Sequence, residues 1–162
     1  MGAGKTTVGR ALAARLGWDF ADLDDRIEAS EQRTIAEIFA LDGEARFRTA
    51  EHNALQDWLS QLNPSSNRIL ALGGGAFAQL ENQKLLASSG LPTIFLDAPV
   101  EELWRRCCEQ NLARPLRGDF DQFRALYQSR FPYYLRASLR VETTGKAVET
   151  IAVEVANHLL KA

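Results

Sequence analysis

The chain is short of several things, and each shortage narrows what it can be. It has only two cysteines and two histidines in 162 residues. The cysteines, Cys107 and Cys108, are sequence neighbours, a spacing that strains any bond joining them. This argues against a disulfide framework, and reduced thiols on a partly buried helix of a cytoplasmic protein are expected. Neither His52 nor His158 lies near them in sequence, so a zinc-type ligand set has little to build from. Charge of one sign is not in surplus: 19 Lys and Arg stand against 21 Asp and Glu, a formal net charge of −2. That removes any global pull toward nucleic acid or an anionic membrane. No apolar run is long enough to span a bilayer, and the residues after Met1 do not read as a signal peptide. The expectation is one domain over residues 1–162, large enough to bury a substantial core.

The front of the chain is short of something too. Met1-Gly2-Ala3-Gly4-Lys5-Thr6-Thr7 carries the back half of a phosphate-binding loop, G-x-x-x-x-G-K-[ST], whose first glycine would fall two places before Met1. The strand that normally feeds such a loop is missing as well. Glycines let backbone N–H groups approach phosphate oxygens, and the helix that follows adds its positive end. Lys5 would reach the β- and γ-phosphates and the Thr6 hydroxyl would ligate Mg²⁺. The plainer reading is a glycine turn capping an ordinary helix. Losing a central strand would strand backbone groups at about 1–3 kcal/mol each, more than a domain with roughly 5–15 kcal/mol of net stability tolerates. A sequence beginning inside the loop, with Met1 an internal methionine, is therefore expected. A sheet with rearranged strand order is the alternative.

Helical and strand patterns alternate along the rest, which predicts an α/β fold with a mainly parallel sheet. Val8, Leu12, Ala13 and Leu16 recur at helical spacing up to Gly17. Short strands are expected at 18–23, 69–72, 93–96 and 139–142. Thr34 with Glu37 forms a capping box for Ile35–Leu41, and a long amphipathic helix covers 43–62. Further helices are expected at 79–88, from 97–99 to about 110, at 121–136 and at 147–160. Residues 112–120 are polar and contain glycine, as a mobile lid would.

Several residue groups suit chemistry. In Asp22-Leu23-Asp24, strand alternation would put both carboxylates on one face, at a strand end where α/β sheets bind ligands. Asp22 would hold Mg²⁺, partly through water, and Asp24 would orient and deprotonate a substrate hydroxyl. The alternative is helix capping by Asp24 or Asp25. Arg48 offers a fork for a carboxylate, or else a surface pair with a nearby Glu. Gly73-Gly74-Gly75 after a strand implies close backbone approach to substrate or γ-phosphate, or a plain strand-to-helix turn. Arg114, in the lid, would neutralise charge on a transferred phosphoryl group. Arg130 would bind an anionic substrate, or cap a helix end.

Taken in order, Gly2-Ala3-Gly4-Lys5-Thr6-Thr7-Val8-Gly9, Asp22-Leu23-Asp24, Ile35-Ala36-Glu37-Ile38-Phe39 with Gly43-Glu44 and Phe47-Arg48, Gly73-Gly74-Gly75-Ala76, Arg114-Pro115-Leu116 and Arg130-Phe131-Pro132-Tyr133-Tyr134 resemble the shikimate kinase family over essentially the whole chain. The resemblance implies a three-layer, nucleoside-monophosphate-kinase-like P-loop fold with a five-stranded parallel sheet, its first strand missing here. It implies transfer of the ATP γ-phosphoryl group to the shikimate 3-hydroxyl. By this likeness Lys5 and the Gly2–Thr7 amides hold ATP, Thr6 and Asp22 position Mg²⁺, and Asp24 binds the reacting hydroxyls. Arg48 and Arg130 clamp the shikimate carboxylate, helped by Gly73, Gly74 and Gly75, and a helical shikimate-binding region covers about 24–62. Arg114 closes over ATP, and Arg106 and the Thr143–Lys146 turn lie near adenine. The implied partners are ATP and shikimate alone, with no nucleic acid or membrane, for a cytoplasmic monomer.

The chain departs from the family pattern in its missing front segment, its short lid with Arg117, and a long loop at 63–67. Weaker turnover than for a chain with the missing segment restored is expected. Two other readings stay open: a gluconate-kinase-like enzyme of the same fold, and a non-catalytic binding relative.

Overall fold

The computed structural model describes residues 2–63, 66–109 and 119–161. They fall into two compact units, one of residues 1–18 with 92–162 and one of residues 19–91.

In the first unit, α1 (Lys5–Leu16) starts after Gly4 and stops at Gly17, which is left-handed at φ 66°. A left-handed residue ends a helix, and glycine adopts that conformation without a Cβ penalty. Val8, Leu12 and Ala13 form the buried stripe of α1, and they meet α7 (Val148–Leu159) with its buried Ile151, Ala152, Val155 and Ala156. The strands β3 (Ile94–Asp97) and β4 (Leu139–Glu142) pair in parallel, Ile94 opposite Leu139 and Asp97 opposite Glu142. α5 (Val100–Glu109) packs on α6 (Phe120–Tyr134) through Leu103, Cys107 and Phe123, with Trp104 and Tyr127 alongside. Asp119 caps α6 in a capping box with Gln122. Asp119 and Phe120, expected in the lid, are thus a helix start, because the cap satisfies backbone N–H groups that would otherwise lack partners. The remaining lid residues, Arg114 among them, lie outside the described residues.

In the second unit, β1 (Asp19–Asp22) pairs in parallel with β2 (Arg68–Ala71), Asp19 opposite Arg68. α2 (Leu23–Glu31) follows β1 at once. α3 (Ile35–Ser60) begins at the Thr34–Glu37 capping box and kinks at Gly43, where φ is 78° and ψ 178°. The kink resolves the two expected helices into segments of one element. After β2 come a 3-10 turn, Ala76–Ala78, absent from the sequence reading, and α4 (Leu80–Ser89). The core gathers Leu23, Ile27, Ile38, Phe47, Leu55 and Leu86. Leu23 and Ile27 are fully buried, and each contributes about 1.5–3 kcal/mol by leaving water.

Asp24 required the main correction. It was expected on a strand, sharing a face with Asp22, and it lies in the first turn of α2. Asp22 ends β1 and its carboxylate accepts the Asp24 N–H at 3.1 Å. Leu23 and Ile27 then bury one helical face four residues apart. Capping plus that apolar pair outweighs a two-residue alternation. The capping role anticipated for Asp24 or Asp25 belongs to Asp22. Both later aspartates sit where the helix dipole favours negative charge.

Candidate active site

The first unit carries the phosphate loop. Gly2 and Gly4 both adopt left-handed φ, 68° and 75°. At Gly2 a side chain is excluded twice over, since a Cβ would overlap the carbonyl oxygen of Leu103 and come within 3.0 Å of Cys107 Sγ. No side chain caps α1 and no acidic residue stands in its first turn. Its N-terminal amides and dipole are thereby presented to an anion. Lys5 is the first helical residue and Thr6 the second.

The adenine-side expectation brings together residues far apart in sequence. Arg106 on α5 donates to Thr143 Oγ1 at 3.3 Å and to the Thr143 carbonyl at 3.5 Å. Its Nε is held by Glu102 at 2.8 Å. Thr143 is buried and bonds the Asp97 carbonyl through both its N–H (2.8 Å) and its hydroxyl (3.0 Å). Lys146 turns back to Glu154 of α7 at 2.7 Å. The Glu102 carboxylate is pulled down to about 2, first by its hydrogen bond from Arg105 and then by that from Arg106. Arg130 is half-buried on α6. It has no carboxylate partner among the described residues.

The second unit gathers the acid, the cation and the triple glycine. A Cβ on Gly73 would stand 3.2 Å from Asp24 Oδ1 and 3.4 Å from Glu51 Oε1. A Cβ on Gly75 would collide with the Arg48 guanidinium, whose Cζ and second terminal nitrogen would both lie 2.9 Å away. The glycines are therefore small because Asp24 and Arg48 occupy the space beside them. Side chains of the same unit thus approach two of the three glycines closely.

Arg48 is held from both sides on its own helix, by Glu51 at 2.8 Å and Glu44 at 2.9 Å. The surface-pair reading is half right: Glu44 is exposed, but Glu51 is only 1 % exposed and Arg48 is largely covered. Burial works against the charge on Arg48. Glu51, and after it Glu44, outweigh that and keep its pKa above the ordinary arginine value. The guanidinium also lies 5.1 Å from the centroid of the Phe47 ring. Glu51 is the buried Arg48 partner that the sequence reading missed. Its i,i+3 spacing from Arg48 was visible; its burial was not.

Among the described residues no group of three or more His, Cys, Asp or Glu is placed to hold a metal ion, and no helix is long and apolar enough to cross a membrane. Cys107 is buried, Cys108 is exposed, and both are free thiols.

An uncapped helix behind a glycine loop, in an α/β chain with parallel strand pairs, defines the P-loop kinase class. The comparisons narrow that class. The shikimate kinase family model matches residues 1–160. The shikimate kinase of Cereibacter sphaeroides is 41% identical over 98% of this chain and 78% of its own length. That of Geobacter metallireducens is 39% identical over 98% of this chain and 87% of its own. The structure of Acinetobacter baumannii shikimate kinase in complex with shikimate superposes with a TM-score of 0.89 at 36% identity, covering 99% of this chain and 89% of that one. Aquifex aeolicus shikimate kinase gives 0.81 at 32% identity, covering 99% and 92%. This chain belongs to the shikimate kinase family. It is an enzyme of the phosphotransferase class, and the gluconate-kinase-like reading is set aside.

Proposed function

We infer that the chain transfers the γ-phosphoryl group of ATP to the 3-hydroxyl of shikimate, giving shikimate 3-phosphate and ADP on the route to aromatic amino acids. The observation that carries this is the convergence of Asp24 and Arg48 on one glycine turn, in a chain of this family. Shikimate is a polyol with one carboxylate. A carboxylate acceptor for its hydroxyls and a preorganised cation for its acid group match it chemically.

In this reading Arg48 and Arg130 hold the substrate carboxylate, with amides of the Gly73–Gly75 turn, and Asp24 accepts the proton of the 3-hydroxyl as its oxygen bonds to the γ-phosphorus. The bond from that phosphorus to the bridging oxygen of ADP breaks in the same displacement. Lys5 and the Gly2–Thr7 amides cradle the phosphates, and Arg106 and Lys146 flank the adenine. Arg114 neutralises charge on the transferring group from a lid at about 112–120. The Thr6 hydroxyl and the Asp22 carboxylate are hard oxygen donors of the kind Mg²⁺ takes. Held by them, the ion would screen phosphate charge. The enzyme acts as a cytoplasmic monomer, one kinase domain over residues 1–162 with its shikimate-binding region at about 24–62.

The test is ADP release with shikimate and Mg²⁺–ATP, run beside gluconate and other polyol acids. Release with shikimate alone supports the reading. Tight ATP binding with no release for any acceptor would return the chain to the non-catalytic alternative.

A further inference from the structure

Asn82 is one of the few fully buried polar side chains, 1 % exposed on α4. Such a group is retained only with its hydrogen bonds made, and the partners here are informative. Its Nδ2 donates to the Ala76 carbonyl at 3.0 Å. Its Oδ1 lies 2.7 Å from His52 Nδ1 on α3. Because the carboxamide hydrogens face Ala76, Oδ1 can only accept. His52 must therefore carry its proton on Nδ1.

Ala76 is no ordinary neighbour. Its N–H donates to the Gly73 carbonyl at 3.1 Å, and Ala78 N–H donates to the Gly75 carbonyl at 3.1 Å. Ala76 is thus the C-terminal anchor of the glycine turn. The next residue of α4, Gln83, grips the next carbonyl, Phe77, at 2.8 Å. Consecutive residues of α3 also reach the turn by separate routes. Glu51 does so through Arg48, which crowds Gly75, and through its own Oε1 beside Gly73, and His52 does so through Asn82.

We propose that Asn82 and His52 are a positioning pair that holds the Gly73–Gly75 turn at the height where its amides meet the substrate carboxylate. Neither residue touches substrate. The pair acts by fixing Ala76, and through it the two glycines before it. The proposal rests on the shikimate-binding reading of that turn. Its signature is a selective loss of shikimate affinity, because the phosphate loop belongs to the other unit and shares none of these bonds.

The test compares Asn82→Asp, His52→Phe and His52→Asn with the wild type, reading both KM values and the amide resonances of Gly73–Gly75 without ligand. Asn82→Asp still accepts from His52 but has no hydrogen for Ala76. It should raise the shikimate KM about fivefold or more while the ATP KM stays within about twofold, and it should shift the glycine amides. His52→Phe should do the same to a smaller degree. His52→Asn, which can offer an N–H at the same δ position, should restore both readouts. Unmoved glycine amides in folded Asn82→Asp, or equal changes in both KM values, would overturn the proposal. If Asn82→Asp does not fold, the His52 variants decide, and a failure of His52→Asn to rescue overturns it. A wild type that neither binds nor phosphorylates shikimate defeats the functional reading instead, and the amide shifts still decide whether the pair holds the turn.

Discussion

Two glycine turns in this chain use the same residue for opposite reasons. At Gly2 and Gly4 the backbone itself is left-handed, with φ of 68° and 75°, so the glycines serve the shape of the main chain and the N–H groups it presents. At Gly75 φ is an ordinary −78°, and the missing side chain makes room for Arg48. One turn owes its glycines to the shape of the main chain, the other to the side chains packed against it. Backbone cradles suit phosphates, which every ATP presents alike. Side-chain sockets suit one particular acceptor, because each side chain can be chosen for it.

Substitutions can break this comparison, and the largest effect should come from chemistry rather than shape. Asp24→Asn should lower turnover by about 10²–10⁴-fold, with ATP affinity little changed. Steady-state kinetics with ATP titrations would show it, and unchanged turnover would remove Asp24 from the reacting centre. Gly2→Ala should come next. It combines a left-handed φ with a collision against backbone, so both ATP affinity and the melting temperature should fall, by roughly 2–4 kcal/mol of stability. Arg48→Ala should raise the shikimate KM by about 10–100-fold and leave ATP binding intact. It also leaves buried Glu51 without its cation, so the double variant with Glu51→Gln should recover some thermal stability.

Gly75→Ala sharpens the contrast with Gly2→Ala. Its new Cβ meets the movable end of a side chain rather than backbone, so the fold should survive while the shikimate KM rises about tenfold. Glu102→Gln should have the smallest effect. Its carboxylate is held at about 2, below its ordinary 4.5. The stabilisation it gives Arg105 and Arg106 is therefore complete above pH 4.5 and fades as the pH falls toward 2. Urea denaturation should separate wild type from variant slightly at pH 7 and less on acidification. An ATP KM unchanged at pH 7 would detach Glu102 from the placement of Arg106.

Much of this was legible one element at a time. The Thr34–Glu37 capping box and the stop at Gly17 each rest on contacts within a few residues. Such contacts write themselves into short spacings. Asp24 was misread for a related reason. Asp-Leu-Asp satisfies the two-residue period of a strand, and only Ile27, a turn further on, shows that Leu23 begins a helix. Glu51 was in plain view three residues from Arg48, but nothing local tells a buried partner from an exposed one. The bond from His52 to Asn82 spans thirty residues and leaves no periodic trace at all.

Residue chemistry and nearest-neighbour geometry were therefore enough to point to the family and to single out the glycine loop, the acid and the arginines as candidates. They were not enough to say that the triple glycine accommodates Asp24 and Arg48, that Glu51 is buried beneath the guanidinium, or that Asn82 ties α3 to the turn. Those facts depend on which surfaces meet once α2, α3 and α4 pack on a shared apolar core. Burial is a property of the packed whole, and it alone turns an ordinary helix carboxylate or amide into a fixed partner of the residues around that turn.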